Sequence, residues 1–154
     1  MKTLKIKKPQ KIPEGTEILI LDYNFNYPMT KLPSTLKYIE FGPNYSHPLP
    51  KFPNGLETLA IYGEYDGDFN ELPMIKTLIL GSYCKPLDFL PTSLKCLIFY
   101  FYTYNLPLNN IPPQTKIYGT NELGNWKYSH PNLEILSMDG LEEFKEMHLI
   151  KYFN

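Results

Sequence analysis

The sequence predicts a mostly β solenoid: a curved sheet of about seven short parallel strands, joined by extended arms and turns, with a short C-terminal helix. Three observations predict it. A proline preceded by an apolar residue returns at Pro13, Pro33, Pro53, Pro73, Pro91 and Pro112, at spacings of 20, 20, 20, 18 and 21 residues. Behind each proline runs an apolar segment that ends in strict alternation, the period of a strand. Fifteen Pro, thirteen Tyr and nine Phe in 154 residues, with no long helical window, favour short strands and turns over helices.

The segments read Thr16/Leu19/Leu21, Leu36/Ile39/Phe41, Leu56/Leu59/Ile61, Ile75/Leu78/Leu80, Leu94/Leu97/Phe99 and Leu133/Leu136/Met138. The copy after Pro112 is degraded, with only Ile117 and Tyr118 near the expected places, and the last copy follows a weaker marker, Pro131. A unit of this length cannot bury its apolar side alone. Stacked in register at roughly 4.8 Å, successive units bury one column of Leu, Ile and Phe. Leu19, Ile39, Leu59, Leu78 and Leu97 are expected to form it.

Just beyond each strand comes an aromatic anchor: Phe25, Tyr45, Tyr65 and Tyr83. Asn24 and Asn44 precede the first two, where an Asn side chain can satisfy backbone groups of a tight turn. The return arms then carry Pro28-Met29, Pro48-Leu49, Pro86-Leu87 and Pro107-Leu108, whose fixed φ suits extended backbone. Each coil therefore reads strand, turn, anchor, arm, Leu-Pro, next strand.

These residues resemble leucine-rich repeats of the α/β-type solenoid, and more closely the FNIP repeat found in amoebal and large-DNA-virus proteins. The likeness rests on Phe25-Asn26-Tyr27-Pro28-Met29, then Leu32-Pro33-Ser34-Thr35-Leu36-Lys37-Tyr38-Ile39-Glu40-Phe41-Gly42, and again Leu90-Pro91-Thr92-Ser93-Leu94-Lys95. It extends over residues 12 to about 138. The resemblance implies a curved parallel-sheet solenoid used for protein–protein contact, and the viral relatives add a virus-infected host cell as a setting for the cytoplasmic location expected below. It does not name the partner.

The chain is expected to be one domain: an N-terminal cap over 1–11, repeats over 12–138 and a C-terminal cap over 139–154. Leu4 and Ile6, flanked by Lys2, Lys5, Lys7 and Lys8, read as a half-repeat whose lysines guard a sheet edge; a basic docking arm is the alternative. Leu141, Phe144 and Met147 follow Asp139-Gly140 at helical spacing and predict a short helix covering the last coil, although 147–153 also alternates like a strand.

The outward strand positions form the concave face, where solenoids usually meet partners. One row is Ile18, Tyr38, Thr58, Thr77, Cys96 and Ile135; the next is Ile20, Glu40, Ala60, Ile79, Ile98 and Ser137, extended by Tyr62 and Tyr100. A solvent face this apolar marks an interaction site, and Tyr supplies much of the contact energy at interfaces. The predicted partner-binding residues are therefore these two rows, short of Ile135 and Ser137 in the final unit. On this reading Ile79→Ala costs far less stability than Leu78→Ala. A neighbouring row, Glu17, Lys37, Glu57, Lys76, Lys95 and Glu134, sets opposite charges on adjacent coils.

The remaining features exclude more than they assign. Fifteen basic and sixteen acidic residues leave a formal charge of −1, with no footprint for nucleic acid or an anionic membrane. No stretch reaches membrane-spanning length, and the N-terminus lacks the apolar run of a signal peptide. Cys84 and Cys96 read as reduced thiols of an intracellular protein, with a bridge between these successive repeats as the alternative. His47, His130 and His148 have no spacing that converges on a metal or a nucleophile, and no cofactor motif occurs. Glu64, Asp66 and Asp68 lack an EF-hand pattern and read as a solvated loop. Trp126, in the segment that breaks the repeat, reads as a plug of the degraded coil, with a binding loop as the alternative. The expected molecule is non-catalytic, needs no cofactor, and is a monomer that binds another protein; self-assembly through solenoid ends or a sheet edge is the alternative.

Overall fold

The computed structural model describes residues 1–100, 104–120, 126–127 and 129–153, without the side chains of 148, 150, 152 and 153. Its strands are β1 (Thr3–Ile6), β2 (Ile18–Leu21), β3 (Tyr38–Phe41), β4 (Thr58–Glu64), β5 (Thr77–Ser82), β6 (Cys96–Phe99), β7 (Lys116–Thr120) and β8 (Leu133–Leu136), followed by helix α1 (Met138–Phe153). All eight strands lie in one sheet in chain order, every neighbouring pair parallel. The strand beyond the expected seven is β1. Its Leu4 pairs with Leu19 and its Ile6 with Leu21, the half-repeat read from the lysine-flanked N-terminus.

The predicted hydrophobic column is present. Leu19, Ile39, Leu59, Leu78 and Leu97 are register partners through β2 to β6, and each is fully buried. Strands β3, β4 and β6 are launched by the same turn. The amides of Leu36, Leu56 and Leu94 donate to the carbonyls of Pro33, Pro53 and Pro91 at 3.2, 3.1 and 3.0 Å. The proline lacks an amide but offers its carbonyl, so the turn needs nothing that proline cannot give. Phe25, Tyr45, Phe69, Tyr83 and Tyr104 fill the space between strand ends and return arms, all buried in the same core.

The Asn prediction needs a correction. Asn24 and Asn44 bond to each other, with Asn44 Nδ2 donating to Asn24 Oδ1 at 3.2 Å. Asn26 serves the backbone instead, its Oδ1 accepting from the Ser46 amide at 3.0 Å. At the ends of β3, β4 and β5 the coils approach too closely for a side chain. A Cβ on Gly63 would lie 2.4 Å from the Pro43 carbonyl oxygen, and one on Gly81 would lie 2.2 Å from that of Tyr62.

The last two coils depart from the spacing. After Pro112 the turn survives, with the Thr115 amide donating to the Pro112 carbonyl at 2.9 Å, but Ile117 rather than residue 118 pairs with Leu97. In the final coil Leu133, not Leu136, takes the core place beside Ile117. Asn132 sets this register: its side-chain amide donates to the Pro113 and Thr115 carbonyls at 2.8 and 3.1 Å, and its own carbonyl accepts from Ile117 at 2.9 Å. An odd offset exchanges the two faces of a strand. Leu136 therefore joins the outward cluster, and Ile135 moves to the core side of the open edge, 38% exposed.

Candidate partner-binding face

The two outward rows stand where the alternation puts them. Ile18, Tyr38, Thr58, Thr77 and Cys96 are successive register partners, as are Ile20, Glu40, Ala60, Ile79 and Ile98. Tyr62 and Tyr100 meet edge to face above them, with ring centroids 5.3 Å apart.

Their expected exposure is not found. Ile18, Tyr38, Thr58, Ala60, Thr77, Ile79, Cys96, Ile98 and Tyr100 are buried, while Ile20, Glu40 and Tyr62 are partly accessible. The cover is the protein's own C-terminal helix. α1 does not merely blunt the last coil; it turns back across the sheet. Phe144 packs on Tyr118 of β7 with ring centroids 3.9 Å apart, Lys145 Nζ lies 4.0 Å from the Tyr100 ring centre, and Lys151 Nζ comes within 3.8 Å of Glu57 before β4. Leu141 and Leu149 are buried in one apolar cluster with Ile18, Ala60, Ile79 and Ile98. Helical spacing identified Leu141 and Phe144 correctly. Met147 is not part of the buried cluster, being 61% exposed, and Leu149 takes the inward position.

A signal for this second core was present in the strands. A parallel sheet covered on both faces reads as a continuous apolar run, whereas a half-exposed one alternates apolar with polar. Ile18–Leu21, Thr77–Leu80 and Cys96–Phe99 are such runs; Tyr38–Phe41, with Glu40, is not. The polar interruption falls where the helix leaves the sheet partly open.

That opening is a cavity of about 740 Å³ between α1 and the β3–β4 side of the sheet. Tyr23, Tyr38 and Tyr62 give it aromatic walls, and Glu40, Glu143 and Glu146 give it negative charge. Tyr23 is 64% exposed. The Tyr38 hydroxyl donates to Glu40 Oε2 at 2.6 Å. Burial, reinforced by the nearby Glu40 charge and opposed by Lys145, pushes the Tyr62 hydroxyl up to about 12. The phenol is therefore neutral and hydrogen-bond capable at any physiological pH. Lys145 is held between the Tyr62 and Tyr100 rings, 5.3 and 4.0 Å from their centres, and pairs with Glu142 at 3.0 Å.

In the charged row Lys76 pairs with Glu57 of the preceding coil at 3.3 Å. The other candidate groups are absorbed into the scaffold. His47 Nε2 lies 3.3 Å from the Asn26 carbonyl, and His130 Nδ1 accepts from the Asn132 amide at 3.1 Å. The His148 side chain lies outside the described residues. Cys84 and Cys96 are free thiols, the first exposed and the second buried; burial drives the Cys96 thiol up to about 12. Asp66 pairs with Lys85 at 2.9 Å, and among the described residues no group of three or more His, Cys, Asp or Glu is placed to hold a metal. No helix among the described residues is long and apolar enough to cross a membrane.

Trp126 acts as the plug. Its ring meets Phe99 edge-on at 5.3 Å, its indole N–H donates to the Thr120 carbonyl at 3.1 Å, and it fills the space a side chain on Gly119 would need. The rest of that segment, 121–125, lies outside the described residues.

Among known proteins, no curated sequence and no solved structure matches this chain. A family model does: residues 5–44, which carry the end of β1 and all of β2 and β3, match the FNIP Repeat. Those are the coils with the Leu-Pro turn, the Asn24–Asn44 bond and the leading part of the buried column, so over that stretch this chain is similar to the FNIP repeat.

Proposed function

We propose that the chain is a non-catalytic protein-interaction scaffold whose partner sits on the outward face of the sheet, the concave side in this architecture, where α1 leaves it open. The observation that carries this reading is the cavity of about 740 Å³ with aromatic walls, beside a Tyr23 that is 64% exposed. Tyr is enriched among residues that dominate binding energy, and an open apolar cleft with a few polar groups is the default place for a ligand. The polar groups are arranged for recognition rather than turnover. Among the described residues none lining the cavity is Ser, His or Cys, and Glu40 is engaged by Tyr38. Two free thiols, one of them exposed, suit a reducing compartment and support a cytoplasmic setting.

A photo-crosslinking residue at Tyr23, compared with one at Met74, tests the site. Met74 is 61% exposed but does not line the cavity. A discrete adduct with a partner protein in extracts of the source cell, formed from position 23 and not from 74, is the expected result. Equal labelling from both positions, or none from 23, removes the outward face as the binding surface.

One observation favours a second reading, self-assembly through a sheet edge. β8 ends the sheet with Ile135 38% exposed, whereas the β1 edge carries Lys2, Lys5 and Lys7. Light scattering across a concentration series decides it: a constant monomer mass rules out assembly, and a mass that rises until Ile135→Lys abolishes the rise establishes it.

A further inference from the structure

We infer that the cavity between α1 and β3–β4 takes a basic segment of a partner protein, one Lys or Arg side chain entering against Tyr23 and Tyr62 with its charge held by Glu40, Glu143 and Glu146. The inference rests on the outward face being the binding surface and adds the chemistry of what binds. Three features of the cavity carry it.

The first is electrostatic. The lining holds three carboxylates, Glu40, Glu143 and Glu146, and one ammonium, Lys145, so it is negative on balance. Lys145 is paired with Glu142, which leaves the three lining carboxylates without their charge offset by it. A cavity of one sign with low-dielectric walls concentrates charge of the opposite sign. An acidic or phosphorylated segment would meet repulsion there.

The second is the wall. A cation over a tyrosine face is attracted by the ring quadrupole, more so where water is thin. The same surface already does this once within the chain: Lys145 Nζ lies 4.0 Å from the Tyr100 ring centre and 5.3 Å from that of Tyr62. Tyr62 thus meets the internal lysine, while Tyr23, 64% exposed, lines the open part of the cavity.

The third is room. A volume of about 740 Å³ exceeds what one Lys or Arg side chain fills, so residues flanking it in a peptide are accommodated as well. Met147 and Leu149 lie on the helix side of the space and supply apolar contact for the aliphatic stem of the entering residue.

The test is a calorimetric titration of the whole chain with four short peptides that differ only at the centre, carrying Lys, Arg, Gln or Glu. Tyrosine ring resonances are followed by NMR in parallel. The Lys and Arg peptides are expected to bind, to move the rings of Tyr23, Tyr38 and Tyr62, and to weaken as salt is raised. The Gln peptide is expected to bind about three- to fivefold more weakly and the Glu peptide more weakly still. The double variant Glu143→Gln, Glu146→Gln changes two solvent-exposed helix positions. It should keep the fold and lose the preference for Lys over Gln.

Equal binding of the Lys and Gln peptides, or a preference that survives in the double variant, overturns the inference while leaving the scaffold reading intact. Cationic peptides that fail to move the tyrosines also overturn it. Failure of the scaffold reading itself would instead show in the crosslinking from position 23.

Discussion

The two faces of the sheet are both largely apolar and largely buried, yet they are built by different means. The inner face is closed by the repeat itself: every coil brings its own strand, anchor and arm, and Leu59 or Leu78 is covered by side chains of its immediate neighbours. The outer face is closed by a single element from the end of the chain, with Leu141 and Leu149 of α1 buried in one cluster with Ile79 and Ile98. One core is spread along the sequence, and the other depends on one helix staying down. In solenoids stability is close to a sum of nearest-neighbour terms. The outer core of this protein is an exception grafted onto that rule.

The strongest way to break the inner core is to hollow it. Leu59→Ala or Leu78→Ala, each at a fully buried position, is expected to cost about 2–5 kcal/mol in chemical denaturation. A loss below about 1 kcal/mol at both would show that the column is not what holds the coils together.

Leu78 and its neighbour Ile79 face opposite sides of the same strand, so together they compare the two cores directly. The reading from sequence made Ile79→Ala mild. With Ile79 fully buried under α1, its removal is now expected to cost about 2 kcal/mol or more. Its cost should shrink in a Leu141→Ala background, where the helix is loosened, whereas that of Leu78→Ala should not. A double-mutant cycle measures this, with an expected coupling of about 0.5–3 kcal/mol between Ile79 and Leu141 and close to none between Leu78 and Leu141. Equal coupling for both pairs would mean the two faces fail as one unit.

The smallest effect concerns the ion pairs where α1 meets the sheet margin. Burial acts to raise the Glu57 carboxyl, but the hydrogen bond and charge of Lys76, with Lys151 and Lys37, hold it below the ordinary carboxylate range. A depressed acid stabilises the fold above its unfolded pKa, and that contribution is lost as the pH falls through the folded value. Glu57 is partly solvated, so Glu57→Gln should cost only about 0.2–1 kcal/mol at neutral pH. The difference between variant and parent should vanish under acid conditions. A gap that persists at low pH would assign the loss to packing.

Much of the inner architecture was legible because its residues repeat. Leu19, Ile39, Leu59, Leu78 and Leu97 declare themselves by spacing alone, and Leu4 and Ile6 extend the pattern to the cap. The outer architecture was not, because it rests on one event. Leu141 and Phe144 give the helix an apolar side, but nothing local says which surface that side will meet. The final coil misled for a related reason: Leu133 and Leu136 are equally apolar, and the choice between them is made by the amide of Asn132 reaching two carbonyls of the preceding coil. The outward strand positions were placed in the right rows. Their cover, and the cavity it leaves, came from the far end of the chain.

The position of Cys96 has a practical consequence. One thiol of this protein stands in solvent, and the other lies in the apolar cluster that α1 closes. A thiol reagent would consume Cys84 on contact, while Cys96 waits for the roof above it to lift. The molecule therefore carries its own stopwatch for the opening of its outer core, already calibrated by a reference residue in the same chain.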